Sequence, residues 1–274
     1  MTINCNGKLI SLHQPKVMGI LNLTPDSFYD GGKYKDDSSI LHHVEKMIND
    51  GASFIDVGAY STRPGAIDVD EQTELKRIVP IISIILKEFS EAIVSIDTFR
   101  SKVAIECISS GAAIINDISA GVQDQQMLNT VAQLNVPYIM MHTRGTPQNM
   151  QQQTNYDDVL KEVLLFFSER LSIAKSLGIK DIIIDPGFGF AKNLNQNYEL
   201  LRQLEMMSFI EFPLLVGISR KSMIYKTLNT TADQALNGTT ALHMVCLQKG
   251  AKILRVHDVR EAMECVKLHD QLNA

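Results

Sequence analysis

The stretch Ser110-Gly111-Ala112-Ala113-Ile114-Ile115-Asn116-Asp117 contains the repeating pattern of the whole chain in eight residues. A glycine comes first, where a preceding helical segment has to stop. A short apolar run follows, and it ends on polar groups able to do chemistry. Glycine just past a helix supplies the left-handed residue that terminates it. The same order recurs at Gly51-Ala52, Gly178-Ile179 and Gly250-Ala251, each between a helical segment and an apolar run. The repeating unit is therefore helix, glycine, strand, polar loop.

Working outward, eight apolar runs end this way. Val17–Leu21 stops at Asn22, and Phe54-Ile-Asp-Val57 leads through Gly58 to Ser61-Thr62-Arg63. Ile93–Ile96 stops at Asp97, Ala113–Ile115 at Asn116-Asp117, Tyr138–Met141 at His142 and Ile182–Ile184 at Asp185. Leu214–Val216 leads into Ser219-Arg220-Lys221, and Ile253-Leu254 stops at Arg255-Val256-His257. Strands alternating with helices imply a parallel sheet with right-handed crossovers. Eight units predict a (β/α)8 TIM barrel, whose site lies at the C-terminal ends of its strands. An open doubly wound sheet is the alternative. It would want Gly-x-Gly-x-x-Gly after the first strand, where this chain has Asn22-Leu-Thr-Pro-Asp-Ser-Phe-Tyr-Asp-Gly-Gly32.

Asn6-Gly7 between two β-prone runs predicts a hairpin over residues 2–11, placed to cover the N-terminal end of the barrel. Helical periodicity is read over 38–50, 70–89, 156–177 and 232–249. In the second of these, Leu75, Ile78, Val79, Ile82 and Ile85 form the apolar stripe. No linker or low-complexity stretch interrupts the pattern, so one domain is expected over 1–274.

The chain has 274 residues, 45% of them hydrophobic, mean hydropathy near zero and a net charge of −5. That is ordinary globular composition. It lacks the clustered excess of base that a nucleic-acid or membrane surface wants. Four scattered cysteines (Cys5, Cys107, Cys246, Cys265) without CxxC spacing read as reduced thiols. With no basic-then-apolar leader at the start, a cytoplasmic protein is expected.

Two carboxylates and a carboxamide, Asp97, Asp185 and Asn116, end three different strands. Any one of them reads as a helix cap, with Asp97 or Ser101 capping the next helix. Together they suit recognition of a donor-rich heterocycle, because each buried polar group left unpaired is costly. Lys221 beside Arg220 after the seventh strand, and Arg255 with His257 at the eighth, lie where barrels often hold phosphate. An ion pair between Arg255 or His257 and Asp258 is the structural alternative. Zinc is not expected without a His-Glu-x-x-His or a carboxylate cage. Mg2+ needs only one or two protein oxygens, and Asn22 is a candidate ligand. The loops 22–37 and 59–70 are long and rich in Gly, Pro, Asp and Ser, as functional lids tend to be.

Met18–Gly32 resembles the first signature of the dihydropteroate synthase family, and Ile55–Ala66 resembles the second. Ser95–Thr98, Ile115–Asp117, Met140–His142, Asp185–Lys192, Gly217–Ser222 and Arg255–Val259 follow in the family's order, so the likeness spans residues 16–260. The resemblance implies condensation of 6-hydroxymethyl-7,8-dihydropterin pyrophosphate with p-aminobenzoate by an SN1-like route. It implies catalytic roles for Asp97, Asp185, Lys221, Arg255 and His257. A pterin slot would be made by Asp97, Asn116, Asp185, Lys221 and Arg255, with Met140 and Phe190 as apolar walls. Asn22, Arg63, Arg255 and His257, with Mg2+, would hold pyrophosphate, helped by Asp26. Phe28, Thr62, Arg63, Pro64, Phe188, Lys221 and Ser222 would receive p-aminobenzoate. Sensitivity to sulfonamides and a homodimer are implied as well.

The chain departs from the family pattern at Ala59-Tyr60, where many members carry Gly-Glu, and at Thr143, where Met is common. A pterin-binding methyltransferase domain acting on methyltetrahydrofolate is the nearest rival. A Schiff-base aldolase using Lys221 and a pterin-binding barrel without turnover are further alternatives.

Overall fold

The computed structural model describes residues 1–23, 33–60 and 69–273, with only the backbone of 33–36. Strands β1 (Thr2–Cys5) and β2 (Lys8–Ser11) form an antiparallel hairpin with Cys5 opposite Lys8. Its turn is Asn6-Gly7, both left-handed at φ 50° and 84°, as a two-residue hairpin turn requires.

The eight strands that follow are β3 (Lys16–Asn22), β4 (Phe54–Gly58), β5 (Val94–Asp97), β6 (Ile114–Asp117), β7 (Tyr138–Met141), β8 (Ile182–Asp185), β9 (Leu215–Val216) and β10 (Ile253–Val256). They pair in parallel in the order β8-β7-β6-β5-β4-β3-β10-β9. A parallel bridge from Ile184 to Leu214 joins the two ends of that order and closes the ring. The barrel expected from the repeating unit is the fold observed.

Helices lie between the strands: α1 (Lys33–Asn49), α2 (Glu71–Glu88), α3 (Ser101–Ser109), α4 (Met127–Leu134), α5 (Val159–Ser176), α6 (Leu194–Arg202), α7 (Ser222–Thr227), α8 (Leu236–Gln248) and α9 (Val259–Leu272). Glycines 51, 111, 178 and 250, read as helix stops, all have positive φ, between 82° and 106°. Asp70 and Asp158 cap α2 and α5 by accepting from Thr73 N and Lys161 N, both at 2.9 Å. The start of α3 differs from expectation: neither Asp97 nor Ser101 caps it. Asp124 reaches back from the next loop to accept from Ser101 N at 2.7 Å, which leaves Asp97 available to the barrel mouth.

Side chains alternate along each strand between the helices and the barrel interior. Val17, Ile55, Val57, Ile96, Ile115 and Leu254 face the helices in one apolar layer. Met18, Phe54, Ile114, Ile139, Ile183, Leu215 and Ile253 fill the bottom of the interior, where Ile3, Cys5 and Leu12 of the hairpin segment plug it. Burying an Ile or Leu side chain is worth roughly 1.5–3 kcal/mol, so this plug stabilises the end of the barrel away from the chemistry. One pleat higher, the interior positions turn polar.

Candidate active site

The polar layer follows from strand register. Asp97 pairs with Gly58 on one side and Asn116 on the other, and Asp185 pairs with Met141. In a parallel sheet, paired residues share a face. Asp97, Asn116, Asp185 and Arg255 therefore point into one mouth although 158 positions separate the first from the last.

A residue that sequence reasoning passed over organises this mouth. Asp56 is fully buried, inside the apolar run of β4. Its Oδ2 accepts from Asn116 Nδ2 at 2.9 Å and from Arg255 Nε at 2.6 Å. Arg255 Nη2 donates to Asp97 Oδ2 at 2.7 Å. Asp56 Oδ1 is buried with no hydrogen-bond partner among the described residues. The signal was available in Phe54-Ile-Asp-Val57, because a carboxylate in the middle of a buried strand needs a partner. Asp258 pairs with Arg220 instead of Arg255, through two 2.8 Å bonds. This clamp ties the loop after β9 to the end of β10, with Arg220 itself held at φ 56°.

Lys221 enters from the opposite side. Its Nζ donates to the carbonyl of Phe188 and lies 4.7 Å from the Phe190 ring centroid, a cation–π distance. Gly187 N donates to Asp185 Oδ1 at 2.8 Å. Ser222 is half-buried next to Lys221 at the start of α7. His257 is exposed, and its Nδ1 lies 3.1 Å from Ser219 Oγ. Asn22 is half-buried at the end of β3.

Burial raises the pKa of Asp97 to about 7, against the opposing pull of Arg255. Asp185 is raised for the same reason, with Lys221 and the Gly187 N–H opposing. Burial lowers Lys221 to about 8, Asp185 opposing and Arg255 adding to the shift. Burial also works against the charge on Arg255, but Asp56 and Asp97 more than offset it and hold the guanidinium protonated. The mouth is thus lined by carboxylates that keep a proton more readily than usual and by cations close to them.

Two expected contacts are corrected. Met140 does not face the mouth: it pairs with Ile184 and packs, fully buried, in the layer between sheet and helices. The period-2 alternation puts Met141, paired with Asp185, on the inner face. Phe188 is also fully buried in that outer apolar layer and offers only its carbonyl, so Phe190 is the aromatic ring of this loop that meets Lys221. Asp26, Phe28, Thr62, Arg63 and Pro64 lie outside the described residues.

Among the described residues, no group of three or more His, Cys, Asp or Glu is placed to hold a metal, and no helix is long and apolar enough to cross a membrane. The four cysteines are buried and unpaired with one another.

Residues 18–257 match the family model described as pterin binding enzyme. The dihydropteroate synthase of Escherichia coli strain K12 is 42% identical over 270 residues, covering 98% of this chain and 95% of that one. The dihydropteroate synthase of Bacillus subtilis strain 168 is 42% identical over 258 residues, covering 93% and 88%. The Yersinia pestis dihydropteroate synthase solved with a sulfonamide drug superposes with a TM-score of 0.93 at 40% identity, over 100% of this chain and 99% of that one. The Xanthomonas albilineans dihydropteroate synthase solved with 7,8-dihydropteroate gives 0.89 at 33% identity, over 100% and 99%.

Proposed function

This chain belongs to the dihydropteroate synthase branch of the pterin-binding enzyme family, and we propose from that premise that its strand ends divide one condensation into three tasks. The enzyme is a transferase that joins 6-hydroxymethyl-7,8-dihydropterin pyrophosphate to p-aminobenzoate, giving 7,8-dihydropteroate and pyrophosphate. Methyl transfer from methyltetrahydrofolate is not favoured, since relatives that match over nearly the whole chain are synthases.

The observation that carries the pterin assignment is the buried network of Asp56, Asn116, Asp97 and Arg255, with Asp185 across the mouth. Its acceptors suit the amino-pyrimidine edge of a pterin, and the unpartnered Asp56 Oδ1 is costly until a donor arrives. Met141 and Phe190 supply apolar walls, and Arg255 offers a cation to the ring face. Lys221 sits where the pterin and arylamine sites meet.

Asn22, Arg255 and His257, with Arg63 of the second lid, hold the pyrophosphate. Asn22 would supply the one side-chain oxygen that Mg2+ needs, with the substrate's phosphates and water completing its shell. When bound there, Mg2+ neutralises charge on the leaving pyrophosphate. The bond between the pterin methylene carbon and the pyrophosphate oxygen breaks, and its electron pair leaves with pyrophosphate. Asp97 and Asp185 stabilise the cationic methylene that remains. The arylamine nitrogen then bonds to that carbon and loses a proton to water. Phe28, Thr62, Pro64, Phe190 and Ser222 position the arylamine, with its carboxylate toward Lys221. Sulfonamides would compete for this position.

We place the enzyme in the cytoplasm, in keeping with its four unpaired thiols. We also propose a homodimer. Phe209, 75% exposed and near the exposed Met206, is apolar surface of the kind a second copy covers, and light scattering measures the mass. The decisive assay is pyrophosphate release. It should require both p-aminobenzoate and Mg2+, and Asp97→Asn and Asp185→Asn should each lower kcat/KM about 10²–10³-fold. Near-normal turnover in both variants would overturn the assignment.

A further inference from the structure

Lys192 is 3% exposed and has no carboxylate within ion-pair distance among the described residues. Its ammonium group has three hydrogens and three acceptors: His142 Nδ1 at 2.9 Å, the Gly187 carbonyl at 3.0 Å and the Phe190 carbonyl at 3.0 Å. Burying an ammonium without a carboxylate beside it is costly. Such a group survives only where its hydrogen bonds are complete and matter to the surrounding structure.

What surrounds it is the loop 187–190. Two of its acceptors flank Phe188, whose carbonyl receives Lys221 Nζ, and Phe190 supplies both a carbonyl to Lys192 and a ring to Lys221. Both lysines therefore hold the same loop. The third acceptor comes from another strand. His142 is 2% exposed, packs edge-on to Phe166 with ring centroids 4.9 Å apart, and donates its backbone N–H to the carbonyl of Asp185 at 2.9 Å. With Nδ1 accepting from Lys192, the imidazole is neutral and carries its proton on Nε2. Burial and the neighbouring cations Lys192 and Arg144 push its pKa well down, in agreement with that state.

We propose that Lys192 is a positioning residue for the synthase reaction: with His142 as its neutral acceptor, it holds loop 187–190 in the shape that seats Lys221. This rests on the reading that Lys221 meets the two substrates. Lys192 acts through the loop: burial lowers its pKa well below the usual lysine value, and its partners are His142 and the carbonyls of Gly187 and Phe190.

The test is a double-mutant cycle on KM for p-aminobenzoate and for the pterin pyrophosphate, with thermal unfolding recorded for every variant. Lys221→Ala and Lys192→Met should each raise KM about tenfold or more, and the double variant should be no worse than Lys221→Ala alone, because the relay ends at Lys221. If the two effects multiply, the relay is wrong while the binding role of Lys221 stands. If Lys221→Ala leaves both KM values unchanged, the binding role fails and the relay has nothing to act on. A merely structural lysine would lower the unfolding temperature and give multiplying effects. Should Lys192→Met fail to fold, the same cycle is run with His142→Leu, which removes one acceptor of three. His142→Asn, whose amide oxygen can take the place of Nδ1, should restore KM to within about threefold of the parent. Failure of that rescue, with the variant folded, also overturns the proposal.

Discussion

Arg255 Nε donates to Asp56 Oδ2 at 2.6 Å from a strand end 199 residues away in the chain. Asp56 is fully buried and also holds Asn116. It therefore orients one cation and one amide of the mouth without reaching solvent. Among the described residues, Asp56→Ala should leave Arg255 with Asp97 as its one carboxylate partner and Asn116 Nδ2 without its acceptor. Removing one member of a buried ion pair costs on the order of 3 kcal/mol. Chemical denaturation should read that loss of stability, and pterin binding should weaken in parallel. Unchanged stability would mean that the network is not formed.

The mouth should titrate at neutrality and just above it. Asp97 is raised to about 7 by burial, with Arg255 opposing and Asp56, Glu74 and Asp117 adding to the rise. Lys221 is lowered to about 8 by burial, with Asp185 and Asp97 opposing. The active form has the carboxylate ionised and the ammonium protonated. kcat/KM should therefore fall below about pH 7 and again above about pH 8, as macroscopic values of the free enzyme. In Lys221→Arg the alkaline limb should move up by more than one pH unit, because a guanidinium does not deprotonate in this range. An unmoved limb would assign it to another group.

Gly187 is at φ 72°, and a Cβ there would stand 2.0 Å from the carbonyl oxygen of His142. The clash is with backbone, so it cannot be relieved by a rotamer change. Gly187→Ala should destabilise the protein by roughly 1–3 kcal/mol. It should lower activity further than that loss explains, because the loop also holds Lys221. A calorimetric scan beside the kinetic assay separates the two.

His243 is 1% exposed on α8, and neither ring nitrogen has a hydrogen-bond partner among the described residues. Burial lowers its pKa to about 4, with Asp258 opposing. The unfolded chain binds the proton near its ordinary value of 6.5, the folded chain only near 4. The neutral histidine's contribution is therefore complete above about 6.5 and is lost as the pH falls toward 4, a change of about 3 kcal/mol. His243→Leu should flatten the stability-versus-pH curve across that window. Equal slopes in parent and variant would remove His243 from the acid response.

Much of the mouth was legible in the chain because strand ends carry their chemistry in sequence. Asp97, Asn116, Asp185, Lys221 and Arg255 each follow an apolar run, and all are brought to one end of the barrel. Two residues were misplaced for a physical reason. Met140 and Met141 are chemically identical neighbours, and only the pleat distinguishes the inner from the outer face. Phe188 and Phe190 flank a glycine in the same loop, and their fates diverge because Gly187, Gly189 and Ala191 take left-handed turns. Asp56 was hidden by the hydrophobicity of its neighbours.

Local order alone therefore determined the barrel, the hairpin plug and the helix stops. A strand's apolar run, a glycine after a helix and an Asn-Gly turn each act on the few residues around them. The tertiary structure decided the partners. Whether Arg255 meets Asp258, three residues away, or Asp56, 199 residues away, depends on β10 pairing beside β3 and β3 beside β4. Likewise, Lys192 and His142 meet only because β7 and β8 are neighbours in register. Charges reach across a barrel and side chains alternate across a sheet, so both choices are made by closure of the ring.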